Sequence, residues 1–272
     1  MSDRSGPHVL SPKLFGVGGD WLPVTAGESE ASVFRSGDAT RYAKCVPAVD
    51  TAGLKAERER IAWLSGQGVP GPRVLDWYAG DAGACLVTGA VSGVSADQVS
   101  AEDLRASWEH IADAVRRLHE VPVSSCPYRR GLDAVVEVAR DVVARGAVNP
   151  EFLPVEQQLT PAAELLARLT GEISRRRGQE VADTVVCHGD LCLPNIILDP
   201  RTLEVSGFID LGRLGAADRH ADPALLLANA RETWVDEEQA RVADRAFAER
   251  YGIALDQERL RFYLHLDPLT WG

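Results

Sequence analysis

The sequence predicts an α+β protein of two lobes, the first rich in β-strand and the second mainly helical. Three observations point there. Up to residue 88 the apolar residues come in short runs cut by Gly, Asp and Ser, the pattern of strands and turns. From residue 94 the apolar positions recur at helical spacing over longer stretches. The length, 272 residues, is long for one simple domain and fits two lobes that share a cleft. The divisions expected are 1–88 for the N-terminal lobe, 89–93 for a hinge and 94–272 for the C-terminal lobe.

Composition narrows the function classes. A chain with 45% hydrophobic and 25% charged residues is an ordinary globular protein. Its net charge of −11 argues against nucleic acid or an anionic membrane as partner and suits a cationic ligand. The five cysteines (Cys45, Cys85, Cys126, Cys187, Cys192) show no C-x-x-C spacing, so reduced thiols in a cytoplasmic protein are expected. No signal peptide is expected at the N-terminus, and no apolar run approaches the roughly 18 residues of a membrane span. A monomer is the default expectation.

In the first lobe, Trp21 to Thr25, Ser32 to Ser36 and Tyr42 to Val46 read as strands. The loop around Gly27 to Ser29 can turn backbone N–H groups toward phosphate oxygens, although most such loops are plain hairpin turns. Lys44 lies within an apolar strand. Taken alone it reads better as an edge-strand solubility device than as a phosphate ligand. Leu54 to Leu64 has helical periodicity, and Gly66 and Gly68 stop it. Glu57 and Glu59 lie on this helix, either on its solvated face or, for one of them, paired with Lys44. Strands at Arg73 to Tyr78 and Ala84 to Thr88 complete the lobe.

In the second lobe, Ser100 and Asp103 form a capping box ahead of a stripe of Leu104, Trp108, Ile111, Val115 and Leu118. A helix over Leu132 to Arg145 follows. The irregular segment from Asn149 to Gln158 comes next, then a helix starting at Thr160-Pro161 with the proline at its first position. After Asp222-Pro223, taken as a helix cap, a helix runs through Trp234. Two more cover Glu237 to Tyr251 and Asp256 to Leu266, before a tail expected to dock.

The chemistry concentrates in Val185 to Gly215. Short β runs at Val185 to Cys187, Ile196 to Leu198 and Val205 to Ile209 flank two polar clusters. One is His188-Gly189-Asp190 with Asn195 five residues after the aspartate, and the other is Asp210 with Leu211-Gly212. Phosphoryl transfer to a hydroxyl needs these parts: a carboxylate to orient the nucleophile and take its proton, hard oxygen ligands for Mg²⁺, and a cation on the phosphates. Asp190, the pair Asn195 and Asp210, and Lys44 can supply them. His188 reads as a loop support, and Asp218 with Arg219 as a structural pair.

The segment from His188 to Asn195, H-G-D-x-x-x-x-N, followed by I-D-L-G at Ile209 to Gly212, resembles the aminoglycoside phosphotransferases, whose fold is protein-kinase-like. The resemblance covers nearly the whole chain, including GFIDLGRLGAADRHAD from Gly207 to Asp222. It implies that ATP and Mg²⁺ are cofactors, with the nucleotide between the lobes. It implies Asp190 as the catalytic base, Asn195 and Asp210 as magnesium ligands, Lys44 on the phosphates paired with Glu57, Ser29 over the phosphates, and Gly89 and Val91 as backbone partners of adenine. Within the family the DWLPV, VNPEFLP and DPLTWG segments are most similar to members that modify the 3″-hydroxyl of streptomycin.

A polycationic acceptor calls for carboxylates. By position the candidates are Glu151, Glu156, Asn229, Glu232, Asp267 and the terminal carboxylate of Gly272. Asp267-Pro268 stands where relatives acting on kanamycin-type substrates carry Asp-Glu, which agrees with a different aminoglycoside. The alternatives are a kinase of the same fold acting on another aminoglycoside, choline, homoserine or a sugar, and a binding module without turnover.

Overall fold

The structure is a computed structural model that describes residues 10–24 and 31–272. The chain divides into two compact units, one formed by Met1–Ser92 with Gly207–Gly212, the other by Gly93–Ser206 with Arg213–Gly272.

The first unit contains β1 (Trp21–Val24), β2 (Ser32–Ser36), β3 (Arg41–Pro47), α1 (Thr51–Ser65), β4 (Val74–Gly80) and β5 (Gly83–Gly89). The strands form one antiparallel sheet in the order β1-β2-β3-β5-β4. This order puts β3 in the centre, with Lys44 opposite Val33 on one side and Leu86 on the other. The edge-strand reading of Lys44 is therefore wrong, because sequence order does not reveal which strands become neighbours. Ala43 and Cys45, its neighbours in the strand, enter a core with Val17, Phe34, Cys85 and Val87. Strand alternation turns Lys44 to the opposite face. The Cys45 and Cys85 sulfurs lie 3.1 Å apart across the sheet, both as free thiols.

The segment 207–212 is sewn onto this unit by backbone. The Phe208 N–H donates to the Pro70 carbonyl at 3.1 Å, and a Cβ on Gly207 would lie 3.0 Å from the Gly71 nitrogen. Only glycine allows so close an approach of two main chains.

The second unit contains β6 (Val94–Ser95), α2 (Ala101–His119), α3 (Leu132–Ala144), α4 (Ala162–Thr170), α5 (Ile173–Asp183), β7 (Thr184–Cys187), β8 (Ile196–Leu198), the start of β9 (Val205–Phe208), β10 (Gly215–Asp218), α6 (Ala221–Ala230), α7 (Glu237–Tyr251) and α8 (Gln257–Leu266). The Ser100 hydroxyl caps α2 by accepting from the Asp103 N–H at 3.1 Å, as the capping box predicts. Behind the cap, Leu104, Ile111, Val115 and Leu118 are all fully buried. Trp108 joins α2 to α7 by donating its indole N–H to the Ala243 carbonyl at 2.8 Å, with Trp234 edge-on at 5.3 Å.

Several local expectations give way. Pro161 stands one position before α4, at its N-cap, and a break at Gly171 separates α4 from α5. The helix expected to run through Trp234 stops at Ala230 and continues as a 3-10 turn over Arg231–Thr233. Strand β10, Gly-Ala-Ala-Asp, has no β-branched residue to announce it and exists through its pairing with β7. Asp218 does not pair with Arg219. It accepts from Arg259 Nε and the Tyr263 hydroxyl, each at 2.7 Å, while the Arg219 guanidinium lies 5.7 Å from the Tyr251 ring centroid. Among the described residues no helix is long and apolar enough to cross a membrane.

Leu118 is fully buried. Leu118→Ala is expected to destabilise the helical unit by about 2–5 kcal/mol, read as a lower urea midpoint at unchanged slope.

Candidate active site

In the first unit, β3, α1 and the 207–212 segment bring three charges together. The Lys44 ammonium donates to Glu57 Oε2 at 2.9 Å and to Asp210 Oδ1 at 3.0 Å. Glu57 lies on the inner face of α1 with Leu54, Ile61 and Leu64, so it is not on the solvated face. Glu59 is the helix glutamate that stays at the surface, beside Lys55 and Arg58. Burial pushes the Lys44 ammonium toward the neutral form, but Glu57 and Asp210 outweigh it and hold its pKa above the ordinary lysine value. Asp210 has φ of 57°, a left-handed conformation that aspartate tolerates better than most residues. Strained backbone of this kind collects at functional sites.

In the second unit, the loop after β7 carries His188, Gly189, Asp190 and Asn195. Its start is fixed by Asp222, which is not the helix cap that the Asp-Pro pair predicts. His220 occupies the cap position, and Asp222 lies fully buried in the first turn of α6. One Asp222 oxygen accepts from the His188 N–H at 2.7 Å, and the other from the Gly189 N–H at 2.9 Å. His119, at the end of α2, adds a third partner through Nε2 at 2.9 Å, while its Nδ1 meets the Tyr251 hydroxyl at 2.6 Å. Burial pushes the Asp222 carboxyl up, but the hydrogen bonds and the nearby imidazoles of His119 and His188 bring it below the ordinary carboxylate value. A histidine closing an apolar helical stripe was the available hint of a buried polar partner.

Gly189 has φ of 84°, and a Cβ there would lie 2.2 Å from the Arg213 carbonyl oxygen. The glycine of H-G-D is thus demanded by both conformation and space. The chain emerges from the core one residue later. His188 is fully buried, whereas Asp190 is partly exposed. Asn195 donates Nδ2 to the Asp190 carbonyl at 2.8 Å and to Asp190 Oδ2 at 3.2 Å. With the amide nitrogen so engaged, its remaining polar atom is the acceptor Oδ1.

The other expected residues divide by environment. Ser29 lies outside the described residues. Gly89 donates its N–H to the Arg73 carbonyl at 2.9 Å, which leaves its own carbonyl to offer, and among the described residues the Val91 N–H has no acceptor. Asn229 accepts the Leu193 N–H at 2.8 Å and so braces the Asp190 loop. Glu151, Glu156 and Glu232 are exposed. Asp267 is engaged by Arg213 at 3.1 Å and by the Trp271 indole at 2.9 Å. A terminal carboxylate oxygen of Gly272 accepts from Arg145 at 3.2 Å. A cavity of about 240 Å³ is lined by Gln157, Arg168, Glu172, Arg261 and His265, none of them anticipated. Its two arginines make it a poor host for a polycation.

Against known proteins, the Phosphotransferase enzyme family model matches residues 20–263. The chain belongs to this family. Over 272 residues it is 82% identical to a streptomycin 3″-kinase of Streptomyces griseus, with each chain covered completely. It is 43% identical to an aminoglycoside 3′-phosphotransferase of Streptomyces fradiae, covering 91% of this chain and 94% of that one. Among solved structures it is similar to aminoglycoside phosphotransferase APH(3″)-Id from Streptomyces rimosus in complex with ADP and streptomycin. That match has a TM-score of 0.91 and 63% identity over 96% of this chain and 97% of that one. The α+β, kinase-like fold class expected from the sequence is that of these phosphotransferases.

A depressed carboxylate stabilises the fold above its unfolded pKa, and that contribution disappears as pH falls through the folded value. Asp222→Asn is therefore expected to lower stability at pH 7 by about 2–3 kcal/mol. Its deficit relative to the parent should shrink below about pH 4. Urea unfolding at both pH values checks this.

Proposed function

We propose that the chain transfers the γ-phosphoryl group of ATP to the 3″-hydroxyl of streptomycin and thereby inactivates the antibiotic. The observation that carries the reaction type is the placement of five side chains. Lys44 is charged and oriented by Glu57 and Asp210, and Asp190 is held by the Asn195 amide at the point where its loop becomes accessible. The acceptor is argued from the full-length 82% identity to the streptomycin 3″-kinase and from the solved relative whose complex contains ADP and streptomycin.

In this reading the Lys44 ammonium meets the nucleotide phosphates. Glu57, 7% exposed, keeps it from swinging away. Gly89 and Val91 are the proposed backbone partners of adenine, within a hinge at 89–93 that joins a nucleotide-binding lobe at 1–88 to a substrate lobe at 94–272. Ser29 is the proposed cover of the phosphates. Asp190 orients the acceptor hydroxyl and accepts its proton, with Asn195 fixing the plane of its carboxylate. The donors fit Mg²⁺. Lys44, Glu57 and Asp210 sum to one negative charge, Asp210 is 41% exposed, and Asn195 retains its amide oxygen, so both proposed ligands are hard oxygens. When bound, Mg²⁺ neutralises charge on the phosphate oxygens during transfer. Glu151, Glu156 and Glu232, all exposed, are the proposed cation-binding side chains, with the Gly272 carboxylate. The proposed setting is the cytoplasm, as a monomer, where ATP is supplied and the free thiols stay reduced.

Incubation with Mg-ATP and streptomycin, kanamycin or choline, read by mass spectrometry, is expected to add one phosphate to streptomycin. Phosphate on choline alone would sink the assignment. Asp190→Ala should lower turnover roughly 10²–10⁴-fold with MgATP affinity nearly unchanged. Near-parental turnover in that variant would remove Asp190 from the role of base.

A further inference from the structure

We infer that Asp267 and Trp271 are positioning residues for the Asp190 loop, acting through Arg213 and Arg130. This rests on the phosphotransfer reading above. Arg213 Nη1 donates to Asp267 Oδ1 at 3.1 Å and to Thr270 Oγ1 at 2.9 Å, and Nη2 to the Thr270 carbonyl at 3.1 Å. The guanidinium lies on the Trp271 indole, with Cζ 3.4 Å from the ring centroid. The Trp271 N–H in turn donates to Asp267 Oδ2 at 2.9 Å. Arg130 Nη2 approaches Asp267 Oδ1 at 3.5 Å, while the Arg130 backbone N–H is fixed on the Ala216 carbonyl at 2.9 Å.

Both arginines bear on Gly189. A Cβ at Gly189 would lie 2.2 Å from the Arg213 carbonyl oxygen and 2.8 Å from the Arg130 side chain. The residue before Asp190 is thus packed between two arginines whose guanidinium groups share the Asp267 carboxylate. Asp267 and Arg213 have side chains 16% and 18% exposed, so solvent screens the pair less than a surface ion pair. Asp267 Oδ1 accepts from two guanidinium groups and Oδ2 from an indole. Such a carboxylate is committed to the protein. Its task is to hold the floor under Asp190 rather than to take up the cationic acceptor, as its position in the sequence had suggested.

The test compares Asp267→Ala, Asp267→Asn and Trp271→Ala in the full chain. It measures kcat and KM for streptomycin, and the slow ATP hydrolysis in which water replaces the acceptor. Positioning predicts that Asp267→Ala lowers kcat and hydrolysis together by about 10-fold or more, with KM for streptomycin changed less than about 3-fold. Asp267→Asn, which keeps an acceptor for Arg213, should recover part of the loss. Trp271→Ala should fall between the two. A rise in streptomycin KM with kcat and hydrolysis unchanged would make Asp267 an acceptor contact and overturn the inference. Parental values throughout, or a loss matched by the unfolded fraction in circular dichroism, would overturn it as well. If the parent leaves streptomycin unmodified, the proposed acceptor fails while the hydrolysis comparison still decides the role of Asp267.

Discussion

Three donors converge on the Asp222 carboxylate, which has no exposure to solvent: the backbone N–H groups of His188 and Gly189 and the imidazole of His119. Burying a carboxylate costs several kcal/mol. A hydrogen bond to a charged group returns about 1.5–3 kcal/mol, so the balance is favourable only with the full set of donors in place. That condition makes the geometry specific. A loop displaced by an ångström would leave a buried charge unpaired, a state the fold cannot sustain. Because His119 is itself joined to Tyr251, the ends of α2 and α7 and the first turn of α6 all depend on the conformation that delivers Asp190.

The two units solve their electrostatic problems differently. In the first, one ammonium is gripped by two carboxylates, leaving a negative balance on a partly exposed aspartate. The net negative charge sits on the more exposed side of the cluster, at Asp210. In the second, the negative groups nearest the chain's turns are neutralised within the protein. Asp218 is bound to Arg259 and Tyr263, and Asp222 to main-chain donors and an imidazole. These buried carboxylates hold structure in place, whereas exposed ones such as Asp133 and Glu238 pair with surface arginines. The overall negative charge of the chain says nothing about this division.

Much of the fold could be read from periodicity and turn residues. Strand β8, the capped start of α2 and helix α7 lie where the sequence places them. Each failure has a nonlocal cause. Lys44 looked like an edge residue because its central place follows from strand order, which no local pattern encodes. Asp222 looked like a cap because Asp-Pro is a common helix start, whereas its partners lie more than thirty residues away in sequence. The loop of the H-G-D-x-x-x-x-N segment is itself tied nonlocally, by Asp222 at its start and Asn229 beyond Asp190.

The stretch 149–158 contrasts with all of this. It consists of two short 3-10 turns, Pro150–Phe152 and Val155–Gln157, and it carries Glu151 and Glu156 on the outside. Few partners depend on those side chains, so exchanging them disturbs neither core nor loop. The relative named for 3′ rather than 3″ modification is 43% identical. A fold that fixes one loop by buried charge and displays carboxylates on tolerant turns keeps what must stay fixed apart from what can change.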